Sequence, residues 1–184
     1  EESSTLNLYH AEAPENVDTN LDVMNEILYH IKTKIVVQVD SLMDLKLSSR
    51  KRFNNVMFVD SFESFEIIYR SMDVEHFEFQ GYYLIILTKH SDDIYVTMFR
   101  IFAALWSKHI INANIMFMPP DNTNEAIMYT FYPYSPFYCE NVVPVQLNQF
   151  KGTNWINRFD YFPKKLQNFH GCPLRVGKMF FILN

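Results

Sequence analysis

The spacing of apolar positions changes along the chain, and each change marks an element. Leu21, Met24, Ile27, Leu28 and Ile31 recur at three and four, which predicts an amphipathic helix over residues 21–32, behind the N-cap types Asp18, Thr19 and Asn20. Ile35-Val36-Val37-Gln38-Val39-Asp40 is a β-branched run and predicts a buried strand. Residues 42–52 hold Leu42, Met43, Leu45 and Leu47 ahead of Arg50-Lys51-Arg52, and predict a short helix. Residues 56–59, Val-Met-Phe-Val, predict a second strand. It runs into Asp60-Ser61-Phe62-Glu63, an acidic cap with Glu three residues on, and a helix with Phe62, Phe65, Ile68 and Met72 on one face. Residues 81–88 form the third and most apolar strand. Ser91-Asp92-Asp93 then place a cap and two carboxylates at a helix start, where negative charge is favoured. The stripe Ile94, Met98, Ile101, Phe102, Leu105 and Trp106 follows, and residues 114–118 give a fourth strand stopped by Pro119-Pro120.

Strand cores near Ile35, Val56, Tyr83 and Asn114 alternate with helices. Such alternation predicts an α/β fold of right-handed βαβ units, with a mostly parallel sheet and helices on both faces. Residues 126–132 read as a strand too, but follow too closely for a crossover helix, so an antiparallel edge strand is expected. From Pro133 the pattern is irregular, and this part carries both cysteines and most of the eight prolines and four glycines. Residues 1–20 are polar and acidic without sustained period, and are expected as an arm or as the lead-in to a helix.

Composition narrows the classes. The 184 residues are 48% hydrophobic and include 17 Phe and 11 Tyr, which excludes a disordered chain. A net charge of −5 argues against nucleic acid or an anionic membrane surface as a partner. No run approaches the ~18–20 apolar residues that span a bilayer, so no transmembrane segment is expected. Glu1 stands first in place of Met, and no signal-peptide pattern remains at this end, as in a processed or internally started chain.

Candidate chemistry is sparse. The turn Asp40-Ser41-Leu42-Met43 lacks the glycines that let a backbone approach a pyrophosphate. No phosphate loop and no G-x-S-x-G elbow occur, so no cofactor is expected. None of the six His pairs at i, i+4 as helical metal ligands do. Asp92-Asp93 reads as helix capping, and Glu75-His76 and Lys89-His90 as solvated turns, which leaves no catalytic candidate and no enzyme expected. Cys139 and Cys172 are too far apart for a C-x-x-C motif. In an oxidising compartment they would form a bridge that stabilises by roughly 3–4 kcal/mol; elsewhere they would be two buried thiols.

The segment Phe162-Pro163-Lys164-Lys165-Leu166-Gln167-Asn168-Phe169-His170-Gly171-Cys172-Pro173-Leu174-Arg175-Val176 is the most distinctive in the chain. It resembles the passage from amino-terminal region to ligand-binding core in insect chemosensory ionotropic receptors, divergent relatives of ionotropic glutamate receptors, and a dipteran source is expected. Tyr129-Thr130-Phe131-Tyr132-Pro133-Tyr134-Ser135, with Cys139 soon after, is similar to the family's aromatic-Pro-aromatic segment, and Trp155 ahead of Phe162-Pro163 also fits. With residues 1–20 read as a polar arm, the resemblance implies an amino-terminal α/β domain over 21–161 and a connector with the start of the ligand-binding core over 162–184. At this length it implies a single Rossmann-like lobe with an irregular carboxy-terminal connector along the sheet edge. It also implies an extracellular setting, a Cys139–Cys172 disulfide, and receptor subunits or a co-receptor as partners.

On that reading the domain senses an odorant or tastant, assembles receptor subunits, or does both for a cation channel. Ligands of open α/β sheets bind beyond the carboxyl ends of the strands. That rim would comprise Asp40, Ser41, Asp60, Ser61, Thr88 and Lys89, with Met118-Pro119, although Asp40 and Asp60 would equally serve as helix caps. Tyr82, Tyr83, Tyr132 and Tyr134 would line a pocket or pack the sheet. The stripe from Ile94 to Trp106 would face a co-receptor or be buried on the sheet.

Overall fold

The structure is a computed structural model, and it describes residues 6–11, 29, 37–40, 52–89, 93–119, 125–157 and 160–173, with 37–40 and 52 described by backbone alone. Its elements are β1 (Leu6–Ala11), β2 (Val37–Asp40), β3 (Arg52–Val59), α1 (Phe62–Ser71), β4 (Phe77–Leu87), α2 (Ile94–Ser107), β5 (Ala113–Phe117), β6 (Glu125–Thr130), β7 (Val145–Lys151) and β8 (Asn154–Trp155). They form one sheet in the order β2-β1-β3-β4-β5-β6-β7-β8. The first five are mutually parallel, and β6, β7 and β8 join antiparallel. The α/β lobe expected from the alternation is therefore present, with β6 antiparallel as the short connection requires.

Three parts differ from the sequence expectation. Leu6–Ala11, within the supposed polar arm, is an inner strand lying parallel to both β2 and β3. Its polar residues are absorbed by hydrogen bonds: the Asn7 amide donates to the Asn54 carbonyl (2.9 Å), and the Tyr9 hydroxyl donates to Asn55 Oδ1 (3.3 Å). Residues 145–151, read as irregular, form β7, where buried Asn148 donates to the Asn157 carbonyl (2.8 Å). Gly152 (φ +63°) then opens the two-residue turn into β8, a position where positive φ matches the strand twist. Arg52 opens β3 in place of closing a helix; the rest of the short helix expected over 42–52 lies outside the described residues. So does the helix over 21–32, apart from Tyr29, which is helical and exposed.

Both described helices pack on one face of the sheet. Phe65 and Ile68 of α1, with Met98, Ile101, Phe102 and Leu105 of α2, meet Tyr9, Met57, Val59, Tyr83, Ile85 and Ile115 in one buried cluster. Phe102 also meets Phe131 beyond β6, with ring centroids 4.9 Å apart. Each such side chain contributes about 1.5–3 kcal/mol by leaving water. On the opposite face Leu8, Phe58 and Ile86 form a second buried cluster.

The helix ends explain their own positions. Ser61 caps α1, its hydroxyl accepting from the Ser64 amide (3.2 Å), so the cap sits one residue later than the Asp60–Glu63 spacing suggested. Asp93 is the N-cap of α2 but makes no side-chain capping bond. α2 ends in a Schellman arrangement, with His109 N donating to Trp106 O (2.8 Å) and Ile110 N to Leu105 O (3.0 Å). The closing residue is left-handed, and it is His109 (φ +58°), not glycine.

Beyond β8 the chain has no regular element over residues 160–173 and forms a strap around the amino-terminal ends of the central strands. The Asn114 amide donates to the Tyr161 carbonyl, Phe162 lies 4.8 Å from the Tyr82 ring, and Phe169 lies 5.0 Å from the Tyr134 ring. Cys139 and Cys172 are bonded (S–S 2.06 Å), which forms the bridge that the resemblance implies.

Candidate ligand sites at the two ends of the sheet

At the carboxyl ends of the parallel strands, the order β2-β1-β3 makes the gap between β1 and β3 the point where strand order reverses. That is the position at which open α/β sheets hold ligands. β3 delivers Asp60 and Ser61 directly to this gap. Asp60 is buried, and its Oδ1 accepts from Ser61 Oγ (3.0 Å) and, through a very short bond, from Ser64 Oγ. Thr88 follows β4, and both its amide (3.0 Å) and its hydroxyl (3.3 Å) donate to the Val59 carbonyl. Asp60, Ser61 and Thr88 are thus brought together, and Lys89, next after Thr88, is exposed. Asp40 ends β2, on the far side of β1, in register with Tyr9; Ser41 lies outside the described residues. Met118 is exposed beyond β5.

At the opposite ends of the strands lies a cleft that sequence reading missed. β3 pairs with β4 through Arg52 and Phe77 and next through Asn54 and Tyr82, so residues 78–81 of β4 bow out of the ladder. Gly81 permits this, because a Cβ there would stand 2.3 Å from the Phe53 carbonyl oxygen and 2.8 Å from that of Glu78. Two bonds hold the bow: the Tyr83 hydroxyl donates to the Glu78 carbonyl (2.9 Å), and the Asn112 amide donates to the Gln80 carbonyl (3.0 Å). The end of α2 and the strap close the space into a cleft of about 790 Å³. That volume falls within the range of small-molecule sites.

Two lysines stand in its walls. Lys108 Nζ donates to the carbonyls of Tyr69 (3.2 Å) and Met72 at the end of α1, and lies 4.5 Å from the Tyr69 ring centroid. Burial pulls its pKa down, opposed by the nearby Asp73 charge. Lys165, on the strap, is only 5% exposed. Its Nζ donates to the carbonyls of Ile111 (2.8 Å) and Ala113 (3.2 Å) and lies 4.5 Å from the Phe131 ring centroid. Burial pulls its pKa down to about 7.

The tyrosines considered for a pocket act in packing. Tyr83 is fully buried, Tyr82 lies between Phe53 (5.3 Å) and Phe162, and Tyr134 lies between Trp106 (6.1 Å) and Phe169. Tyr132 is half-buried, which raises its pKa. Among the described residues no three His, Cys, Asp or Glu side chains gather as a metal site.

A flavodoxin-type strand order, with its reversal point at β1 and β3 and a cleft at the opposite strand ends, describes an open-sheet α/β domain. The sequence matches, over residues 1–168, the family described as "Putative ionotropic receptor, ligand binding domain". The chain belongs to this ionotropic receptor ligand-binding domain family, a family of receptor domains and not of enzymes. No curated protein matches the chain, and no solved structure does.

Proposed function

We propose that the chain is the extracellular, ligand-sensing amino-terminal lobe of a chemosensory ionotropic receptor, serving a ligand-gated cation channel. The observation that carries this reading is the extent of the family match: residues 1–168 take in every strand from β1 to β8 and most of the strap. The disulfide supports a secretory route, since such bonds persist in oxidising compartments. Among the described residues no helix is long and apolar enough to cross a membrane. The ligand would be an odorant or tastant held at the carboxyl rim by Asp60, Ser61, Thr88 and Lys89, with Asp40 at the end of β2. The test is a thermal-shift screen of the purified domain against volatile and gustatory compounds. A hit whose shift disappears in Asp60→Asn supports the rim; a panel without any hit counts against sensing by this domain.

A second reading, assembly with a receptor subunit or co-receptor, draws on the outer face of α2. Met98, Ile101, Phe102 and Leu105 are buried on the sheet, yet Val96 and Phe99 remain 55% and 44% exposed. Light scattering separates the two readings: a concentration-dependent dimer lost in Phe99→Glu favours assembly.

A further inference from the structure

We infer that the cleft at the amino-terminal ends of β4 and β5 is a second binding site, built for a small organic anion: one acidic group on an aromatic or branched apolar body. It is separate from the rim, which lies at the other ends of the same strands. Three observations point to it.

The first is the wall chemistry. Val74, Phe77, Phe79, Ile111 and Leu166 supply an apolar surface, and a few polar groups converge on it, the usual composition of a small-molecule site. The second is a charge imbalance. Lys108 and Lys165 line the cleft against one carboxylate, Glu78, in a chain whose net charge is −5. Neither lysine has a carboxylate within ion-pair distance among the described residues, and each ammonium meets only carbonyls and an aromatic ring. An ammonium has three donors, and two of Lys108's are used on α1, so the third is left for a ligand. Asp73 is near enough to act on Lys108 but not to pair with it, so an incoming anion would supply the direct ionic contact that this partly buried cation lacks. The third is backbone strain at the mouth. His109 occupies the left-handed region with a side chain that glycine would not bring, and such outliers gather at ligand clamps.

Lys108 is the residue placed to read the acid, because it is only half-buried. Lys165 is a positioning residue that fixes the strap as the far wall.

The experiment uses anilinonaphthalene sulfonate, an aromatic anion, beside its neutral parent phenylnaphthylamine, both followed by fluorescence on the oxidised domain. The sulfonate is expected to bind one to one, at least tenfold tighter than the neutral probe. Lys108→Met is expected to weaken the sulfonate at least tenfold and leave the neutral probe unchanged, while Lys108→Arg retains both. His109→Glu, at an exposed position that does not threaten folding, should weaken the sulfonate by a similar factor. Phenylacetate should displace the sulfonate and phenylethylamine should not. Equal affinity for the two probes, no sulfonate binding, or sulfonate binding indifferent to His109→Glu would overturn the inference. None of these outcomes depends on the rim, so the fate of the proposed receptor function is read separately.

Discussion

Replacing Lys165 by Met keeps the length of the side chain but removes a buried titrating group. In the fold its pKa is about 7 against an ordinary 10.5. Below pH 7 both folded and unfolded chains hold the proton, and the full cost of a buried charge weighs on the fold. Between pH 7 and 10.5 the unfolded chain binds a proton that the folded chain does not, so stability rises with pH, by at most about 1.4 kcal/mol per unit. The whole window amounts to up to about 5 kcal/mol. Against this, Met forfeits two hydrogen bonds, each contributing about 1 kcal/mol. The carbonyls left behind are not orphaned: Ala113 O still accepts from Thr130 Oγ1 (3.2 Å), and Ile111 O from Ala113 N (2.8 Å). The expected result is a crossover. Lys165→Met should be more stable than the parent at pH 6, by roughly 3 kcal/mol, and less stable at pH 10, by roughly 1 kcal/mol. Urea denaturation of both proteins at pH 6, 7, 8, 9 and 10, with the disulfide intact, measures it, and titrations common to both cancel in the difference. A stability difference that does not change with pH would refute the reasoning.

Three further outcomes are expected. Replacing Cys139 and Cys172 by Ser reopens a link of 33 residues and should cost about 4 kcal/mol on chain-entropy grounds, read as a lower urea midpoint; an unchanged midpoint would mean that the strap holds without it. Gly81→Ala drives a methyl into the Phe53 carbonyl and should destabilise by about 3 kcal/mol, with loss of amide protection in residues 78–81 under hydrogen exchange. His109→Gly relieves the left-handed strain and should raise stability by about 1 kcal/mol, visible as a higher melting temperature; a lower one would show that the His ring contributes more than its backbone costs.

The strands and helices that follow simple periodicity were legible in the sequence: β3, β4, α1, α2 and β5 all stand where runs of Val, Ile, Leu and Phe place them. β1 and β7 were hidden by the same circumstance, buried amides. Asn7 and Asn148 read as polar, yet each is satisfied by a backbone carbonyl, of Asn54 in β3 and of Asn157 just beyond β8. The positions of Asp60, Ser61 and Thr88 were legible because they depend on strand ends, while their role as a ligand rim is a proposal. The cleft was not legible, since its parts come from residues 74–80, 108–112 and 165–166, and its shape depends on a bow in β4 that no local pattern announces. Gly81, just before the most apolar run, was the one available signal.

The place of β1 also bears on the order in which the chain can form. β1 leaves the ribosome before β2 and β3, but it must sit between them, with partners up to Val59. It therefore waits, and its pairings carry a large loop-closure cost before they return any contact. Until then β2 has no neighbour and the near edge of β3 is open, the kind of strand edge that recruits other chains. During synthesis, the first strand of the sheet cannot be placed until the third has been made.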